Sequence, residues 1–132
     1  MNHLIFFTLV IAIYFGINEA CKINQIIFKN DLGVGKRFQF QCKSSNADSG
    51  VRYLNHKATG GVKFKDTGTN TSLWKCVVRQ GVNMKYYINL DAYTPVLKAP
   101  KCDQLREYTA RLDYIYFRMD SYPPVKLYQW KT

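Results

Sequence analysis

Arg37-Phe38-Gln39-Phe40-Gln41-Cys42 alternates polar and large apolar side chains without a break. Phe38, Phe40 and Cys42 share one face and Arg37, Gln39 and Gln41 the other. This is the period-two signature of a strand buried on one side only. The same period recurs in Met84-Lys85-Tyr86-Tyr87-Ile88-Asn89-Leu90. Leu73-Trp74-Lys75-Cys76-Val77-Val78 is short and apolar, with Trp74, Cys76 and Val78 on one face. Shorter strands are expected over 23–28, 51–54, 62–65, 110–118 and 125–130. Tyr, Phe, Trp, Val and Ile are abundant throughout, which suits pleated, half-buried surfaces.

Turn signals separate these runs. They are Asn30-Asp31-Leu32-Gly33-Val34-Gly35, residues 44–50, Thr59-Gly60-Gly61, the polar stretch 66–71 and Arg79-Gln80-Gly81-Val82-Asn83. Pro95, Pro100 and Pro123-Pro124 mark later loops. No segment reads as a helix of three turns or more. Short strands at this spacing predict an all-β fold, a small antiparallel β-sandwich. There is no internal repeat and no interdomain linker.

The N-terminus carries different information. Residues 4–15, Leu-Ile-Phe-Phe-Thr-Leu-Val-Ile-Ala-Ile-Tyr-Phe, are uncharged. The run has the length of a signal-peptide core and is too short to span a bilayer as a helix. Residues 16–20 turn polar and end on Ala20. The expectation is a signal peptide over 1–20, cleavage after Ala20 and a single domain over 21–132. The alternative is an uncleaved anchor, but no second apolar run follows. Stable membrane insertion is therefore not expected.

All four cysteines, Cys21, Cys42, Cys76 and Cys102, fall in residues 21–132. An even count in a small exported domain reads as two disulfides stapling the sandwich. Spacing leaves all three pairings open. A metal site is not expected, since no CxxC pair exists and His56 is the single histidine after residue 20. Nor does any cofactor motif occur.

After Ala20 the chain holds nineteen basic and eight acidic side chains, a net charge of +11. The positive residues are scattered, which describes a folded surface with a positive field rather than a basic arm. Such a field suits acidic polysaccharide, anionic lipid or a negatively charged receptor face. Solubility alone is the plainer explanation.

Ile27-Phe28-Lys29-Asn30-Asp31-Leu32, followed by Cys42-Lys43-Ser44-Ser45-Asn46-Ala47-Asp48-Ser49-Gly50, resembles the plant self-incompatibility protein family, the S-protein homologues. That family opens with an apolar strand and Asn-x-Leu. A strand ending in Cys-Lys-Ser and a polar loop closed by Gly follow. Leu73-Trp74-Lys75-Cys76 resembles its aromatic-x-Cys strand. Lys101-Cys102 and Arg111-Leu112-Asp113-Tyr114-Ile115-Tyr116-Phe117 resemble its closing segment. The chain departs from the pattern at three places. Leu105 stands at the family's usual fourth cysteine, Tyr108 near its Trp, and Tyr114 at the Gly after Asp. Cys21 lies outside the pattern. The resemblance therefore implies Cys21 as the replacement partner, with Cys42–Cys102 and Cys21–Cys76 the preferred pairing. It also implies a secreted, extracellular β-sandwich without catalytic activity, acting as a ligand in cell–cell signalling through a cell-surface receptor protein.

The residues themselves offer little to catalysis. Acid–base cleavage of RNA, or a Ser-His-Asp or Cys-His site, would have to use His56 alone. Eight scattered acids mark no glycosidase pair. An enzyme is not expected, and neither is a nucleic-acid partner. Recognition falls instead to loops on a rigid scaffold. The candidate residues are Lys43, Asn46 and Asp48 in 43–49, His56 and Lys57 in 55–61, and Tyr93, Lys98 and Lys101 in 91–101. Arg79, Lys85 and Lys36 could extend a positive face. Asn70-Thr71-Ser72 is an N-glycosylation sequon. The aromatics Tyr108, Tyr114, Tyr116, Phe117, Tyr122, Tyr128 and Trp130 read as core or edge packing. A basic defence or wall-associated protein binding anionic lipid or polysaccharide is the rival function.

Overall fold

The computed structural model describes residues 23–132. The expected signal peptide and Cys21 lie outside the described residues. Nine strands form among the described residues: β1 (Asn24–Asn30), β2 (Phe38–Lys43), β3 (Arg52–Leu54), β4 (Thr59–Phe64), β5 (Trp74–Gln80), β6 (Tyr86–Tyr93), β7 (Leu105–Ala110), β8 (Tyr114–Met119) and β9 (Val125–Gln129). Two single 3-10 turns, Asn70–Ser72 and Val82–Met84, are the helical elements among the described residues. One sheet has the order β4-β1-β7-β8-β9 and the other β3-β2-β5-β6. The fold is all-β.

Alternation builds the core. Ile26 and Phe28 of β1 face Phe38 and Phe40 of β2, and all four are fully buried. The Phe28 ring lies 4.8 Å from that of Phe40 across the sheets and 5.5 Å from that of Tyr108 beside it. Trp130 closes one side edge-on against Phe38 at 6.5 Å. Packing is therefore the role of Tyr108, Phe117 and Trp130, while Tyr122 and Tyr128 stay exposed.

Several boundaries differ from expectation, each for a physical reason. The first sheet is mixed rather than antiparallel, because β1 and β7 pair in parallel, Gln25 opposite Leu105. Parallel neighbours need a crossover. Here the chain passes through both sheets and returns along 94–104 to the end where β1 begins. The expected strand over 110–118 is two strands. Asp113 splits it, its Oδ1 accepting from Tyr114 N at 2.8 Å, while Arg111 N donates to Tyr114 O at 3.1 Å. Thr59-Gly60-Gly61 is not a turn but the start of β4. A Cβ on Gly61 would meet the Ile26 carbonyl oxygen at 1.8 Å, so glycine allows β4 to approach β1. β6 begins at Tyr86 rather than Met84, since Asn83 and Met84 take left-handed φ of 55° and 52°.

The preferred disulfide pairing is also corrected. Cys42 bonds Cys76, not Cys102. The two are register partners on adjacent antiparallel strands with Cα atoms 4.1 Å apart, and both point into the core. This is the one disulfide complete among the described residues. Cys102 is likewise disulfide-bonded.

Candidate recognition surface

The sandwich has two ends, set by the direction of β1. Asn24 marks one, where its side chain donates to Lys101 O at 2.9 Å and accepts from Gln104 N at 2.8 Å. Asn30 marks the other. Its Nδ2 donates to Lys36 O and Leu54 O, both at 2.8 Å, and its Oδ1 accepts from Leu32 N at 3.0 Å. Both side chains are buried. Each replaces backbone partners that loops cannot supply to one another. Short polar residues at strand ends could have signalled these roles, but only the fold identifies the partners.

The three expected loops do not converge. Residues 44–49 and 94–101 lie at the Asn24 end, joined through the segment 66–72. Ser45 Oγ donates to Thr71 O at 3.4 Å, and Lys98 N donates to Gly68 O at 2.9 Å. His56 and Lys57 sit at the opposite end. There Lys57 Nζ lies 2.8 Å from Asp31 Oδ1, and Arg111 Nε is 3.2 Å from Asp31 Oδ2. The Lys57 bond and the nearby charges of Lys57, Arg111 and Lys29 overcome partial desolvation and hold Asp31 below the usual carboxylate range. His56 is half-buried, while Lys57 and Asn46 are exposed.

Individual residues divide further. Asp48 works inside its own loop, accepting from Gln41 Nε2 at 3.1 Å and Gly50 N at 2.8 Å. Lys43 reaches it at 3.9 Å. Lys98 is exposed and Lys101 half-buried. Tyr93 is no surface residue, for it is fully buried. The reason is a β-bulge. Lys75 pairs with Asp91 but Trp74 pairs with Tyr93, so Ala92 is the extra residue and the facing of β6 reverses. Tyr93 then turns inward, its hydroxyl donating to Asp66 Oδ2 at 2.5 Å and its ring lying 4.4 Å under the Arg106 guanidinium. Burial pushes the Asp66 carboxyl up. Bonds from Tyr93 and from the N–H groups of Gly68 and Lys101 outweigh that and hold it below its ordinary value. Burial also raises the Tyr108 hydroxyl to about 12. That hydroxyl donates to Ala92 O at 2.8 Å and ties the sheets together beside the bulge.

The outer face of the β3-β2-β5-β6 sheet shows more organisation than any loop. Near the Asn30 end, Tyr53, Gln39, Arg79 and Tyr87 form one cross-strand row. Gln39 Nε2 donates to Tyr53 OH at 2.9 Å. The Arg37 guanidinium stacks 4.2 Å from the Tyr53 ring centroid, and Arg79 lies 5.6 Å from that of Tyr87. Backbone bonds between Tyr87 and Lys131, 2.9 and 3.0 Å, brace the edge. Tyr53 is 46% exposed. Sequence periodicity places these residues on the outer face of their strands; the register aligns them.

Towards the Asn24 end the same face sinks into a depression of about 720 Å³. Gln41, Val77 and Asn89 form one row of its floor, and Lys43, Lys75 and Asp91 form the next. Asn70 and Tyr128 stand at its margins. Like charges directly opposite on neighbouring strands repel, so the Lys43–Lys75 pair favours an anion or a polar cover nearby. The described residues hold no group of three or more His, Cys, Asp or Glu side chains able to bind a metal. No helix among them is long and apolar enough to cross a membrane.

Residues 25–130 match the model of the plant self-incompatibility protein S1 family. The chain belongs to that family. It is 51% identical to S-protein homolog 15 of Arabidopsis thaliana over 132 residues, the whole of both chains. It is 38% identical to S-protein homolog 25 of the same plant over 133 residues, 98% of each chain. A solved structure superposes with a TM-score of 0.72 at 46% identity, covering 86% of this chain and 99% of the other. It is described as a self-incompatibility protein homologue from a widespread family of small, highly stable, secreted plant proteins. In this S-protein homologue the family's Asn-x-Leu is the Asn30 corner, and its Cys-Lys-Ser block delivers Cys42 to the disulfide.

Proposed function

We propose that this S-protein homologue is a secreted, non-enzymatic ligand in plant cell–cell signalling, recognised by a cell-surface receptor protein. The observation that carries this reading is the Arg37–Tyr53–Gln39–Arg79–Tyr87 strip. Tyrosine and arginine dominate the energetics of protein interfaces, because each combines large contact area with directional polar groups. Here they stand on paired strands, so little side-chain or loop entropy is lost on docking. The secreted character of the structural relative and the apolar run 4–15 support export, with residues 1–20 removed. The same reading takes Cys21 as the partner of Cys102. With Cys42–Cys76 this gives a two-disulfide domain suited to the extracellular space.

The test is saturable binding of the purified, labelled protein to intact plant protoplasts. Joint substitution Y53A/R79A/Y87A is expected to lower affinity at least tenfold, since interface anchors are each worth about 2 kcal/mol or more. Binding that survives this triple variant but disappears at 1 M salt, where the Debye length is about 3 Å, would instead support charge-driven attachment, to anionic lipid if seen on the protoplasts and to wall polysaccharide if seen on isolated cell walls.

A further inference from the structure

We infer that Asn70 carries an N-linked glycan whose first sugars lie in the depression on the outer face of the β3-β2-β5-β6 sheet. This rests on the export reading but not on receptor docking. Asn70 opens the 3-10 turn Asn70–Ser72, is exposed, and borders the depression. The sequon Asn70-Thr71-Ser72 is complete. Its timing is set by the fold. Ser72 is only 3% exposed, and its hydroxyl accepts from Thr67 N at 2.8 Å and donates to Lys65 O at 3.4 Å. A transferase that must read this hydroxyl cannot reach it in the folded protein, so transfer occurs on the nascent chain during export. In that step Asn70 Nδ2 attacks the anomeric carbon of a polyprenyl-diphosphate-linked oligosaccharide. The N–C bond forms, the C–O bond breaks, the diphosphate leaves with the polyprenol, and Nδ2 loses one proton. Nothing is oxidised or reduced.

Once the chain folds, the attachment point stands beside a surface suited to sugar. Gln41 and Asn89 offer amide donors and acceptors to hydroxyl groups. Val77 supplies an apolar floor, and the Tyr128 ring, 47% exposed, supplies an aromatic wall for the apolar face of a pyranose. Asn70 and Tyr128 line the same depression, so sugars attached at Asn70 enter it directly. A neutral glycan there also shields Lys43 and Lys75 with polar hydroxyls. Covering this half leaves the Arg/Tyr strip as the open part of the sheet.

The test uses the full chain expressed in plant cells and purified from the medium. The wild type should carry a glycan mass that is absent from N70Q, a substitution at an exposed position whose fold-supporting bond is made by the backbone. Enzymatic trimming to the first sugar should shift the side-chain amide NMR signals of Gln41 and Asn89, and Y128A should speed endoglycosidase release several-fold. Protein secreted without modification at Asn70 would overturn this inference alone. Protein retained inside the cell and unmodified would overturn it together with the export reading. A glycan present at Asn70, yet with unchanged amide signals on trimming and equal release rates from wild type and Y128A, would also refute the placement.

Discussion

The Tyr93 hydroxyl donates to Asp66 Oδ2 across 27 positions of sequence, with both residues buried. The contact locks segment 66–72 to the end of β6. The same carboxylate takes N–H groups from Gly68 at 2.7 Å and Lys101 at 3.2 Å. One side chain therefore organises two loops at the Asn24 end. Tyr93→Phe keeps the ring and removes one donor to a charged acceptor. It should destabilise the fold by about 1–3 kcal/mol, read from the midpoint of urea unfolding at unchanged slope.

Acid should act through Asp66. Its folded-state carboxyl lies below its ordinary value of 3.8, so ionisation favours the folded protein. That contribution is complete above the unfolded value. It is lost as pH falls through about 4 and on through the lower folded value. Stability should thus be flat near neutrality and fall below pH 4. Asp66→Asn should be less stable at pH 7 and show a shallower acid limb. An acid limb identical to wild type would remove Asp66 from this role.

Reduction of Cys42–Cys76 releases a constraint between residues 34 apart. In the chain-entropy account this is worth about 3–4 kcal/mol. Peptide mapping under non-reducing conditions should recover Cys42 joined to Cys76, and C42A/C76A should lower the unfolding midpoint accordingly.

Gly61→Ala should be far more damaging than its single methyl suggests. The added Cβ would meet the Ile26 carbonyl oxygen, so β4 must leave β1 or the carbonyl must move. Amide hydrogen exchange should show lost protection along Thr59–Phe64.

Asn30→Ala would orphan the Lys36 and Leu54 carbonyls and the Leu32 amide at once. An unsatisfied buried group costs about 1–3 kcal/mol, so a loss of at least about 2 kcal/mol is expected in thermal or urea unfolding. Asn24→Ala should cost less, since it frees one carbonyl and one amide.

Much of this fold was legible in the chain, because β2, β5 and β6 bury one face only and so must alternate. Phe38, Phe40, Cys42, Trp74, Cys76, Val78, Ile88 and Leu90 all lie on the face that alternation predicts. β7 was not legible. Leu-Arg-Glu-Tyr-Thr-Ala carries two charges, and it becomes a strand by inserting between β1 and β8, which is a property of the sheet. Tyr93 was misplaced because a bulge at Ala92 reverses facing, and a bulge leaves little trace in composition. Which end of the sandwich each candidate loop occupies was not legible either, because order along the chain does not fix where a loop lies on the folded domain.

Local alternation, turn chemistry and the Cys-Lys-Ser block determined the all-β class, most strands and the family, since these depend on neighbours a few residues apart. Tertiary structure alone decided that Cys42 meets Cys76, that β1 and β7 run parallel, and that Tyr53, Gln39, Arg79 and Tyr87 stand in one row. Those relationships depend on register between strands distant in sequence. Register is set by how all the strands bury their apolar faces together.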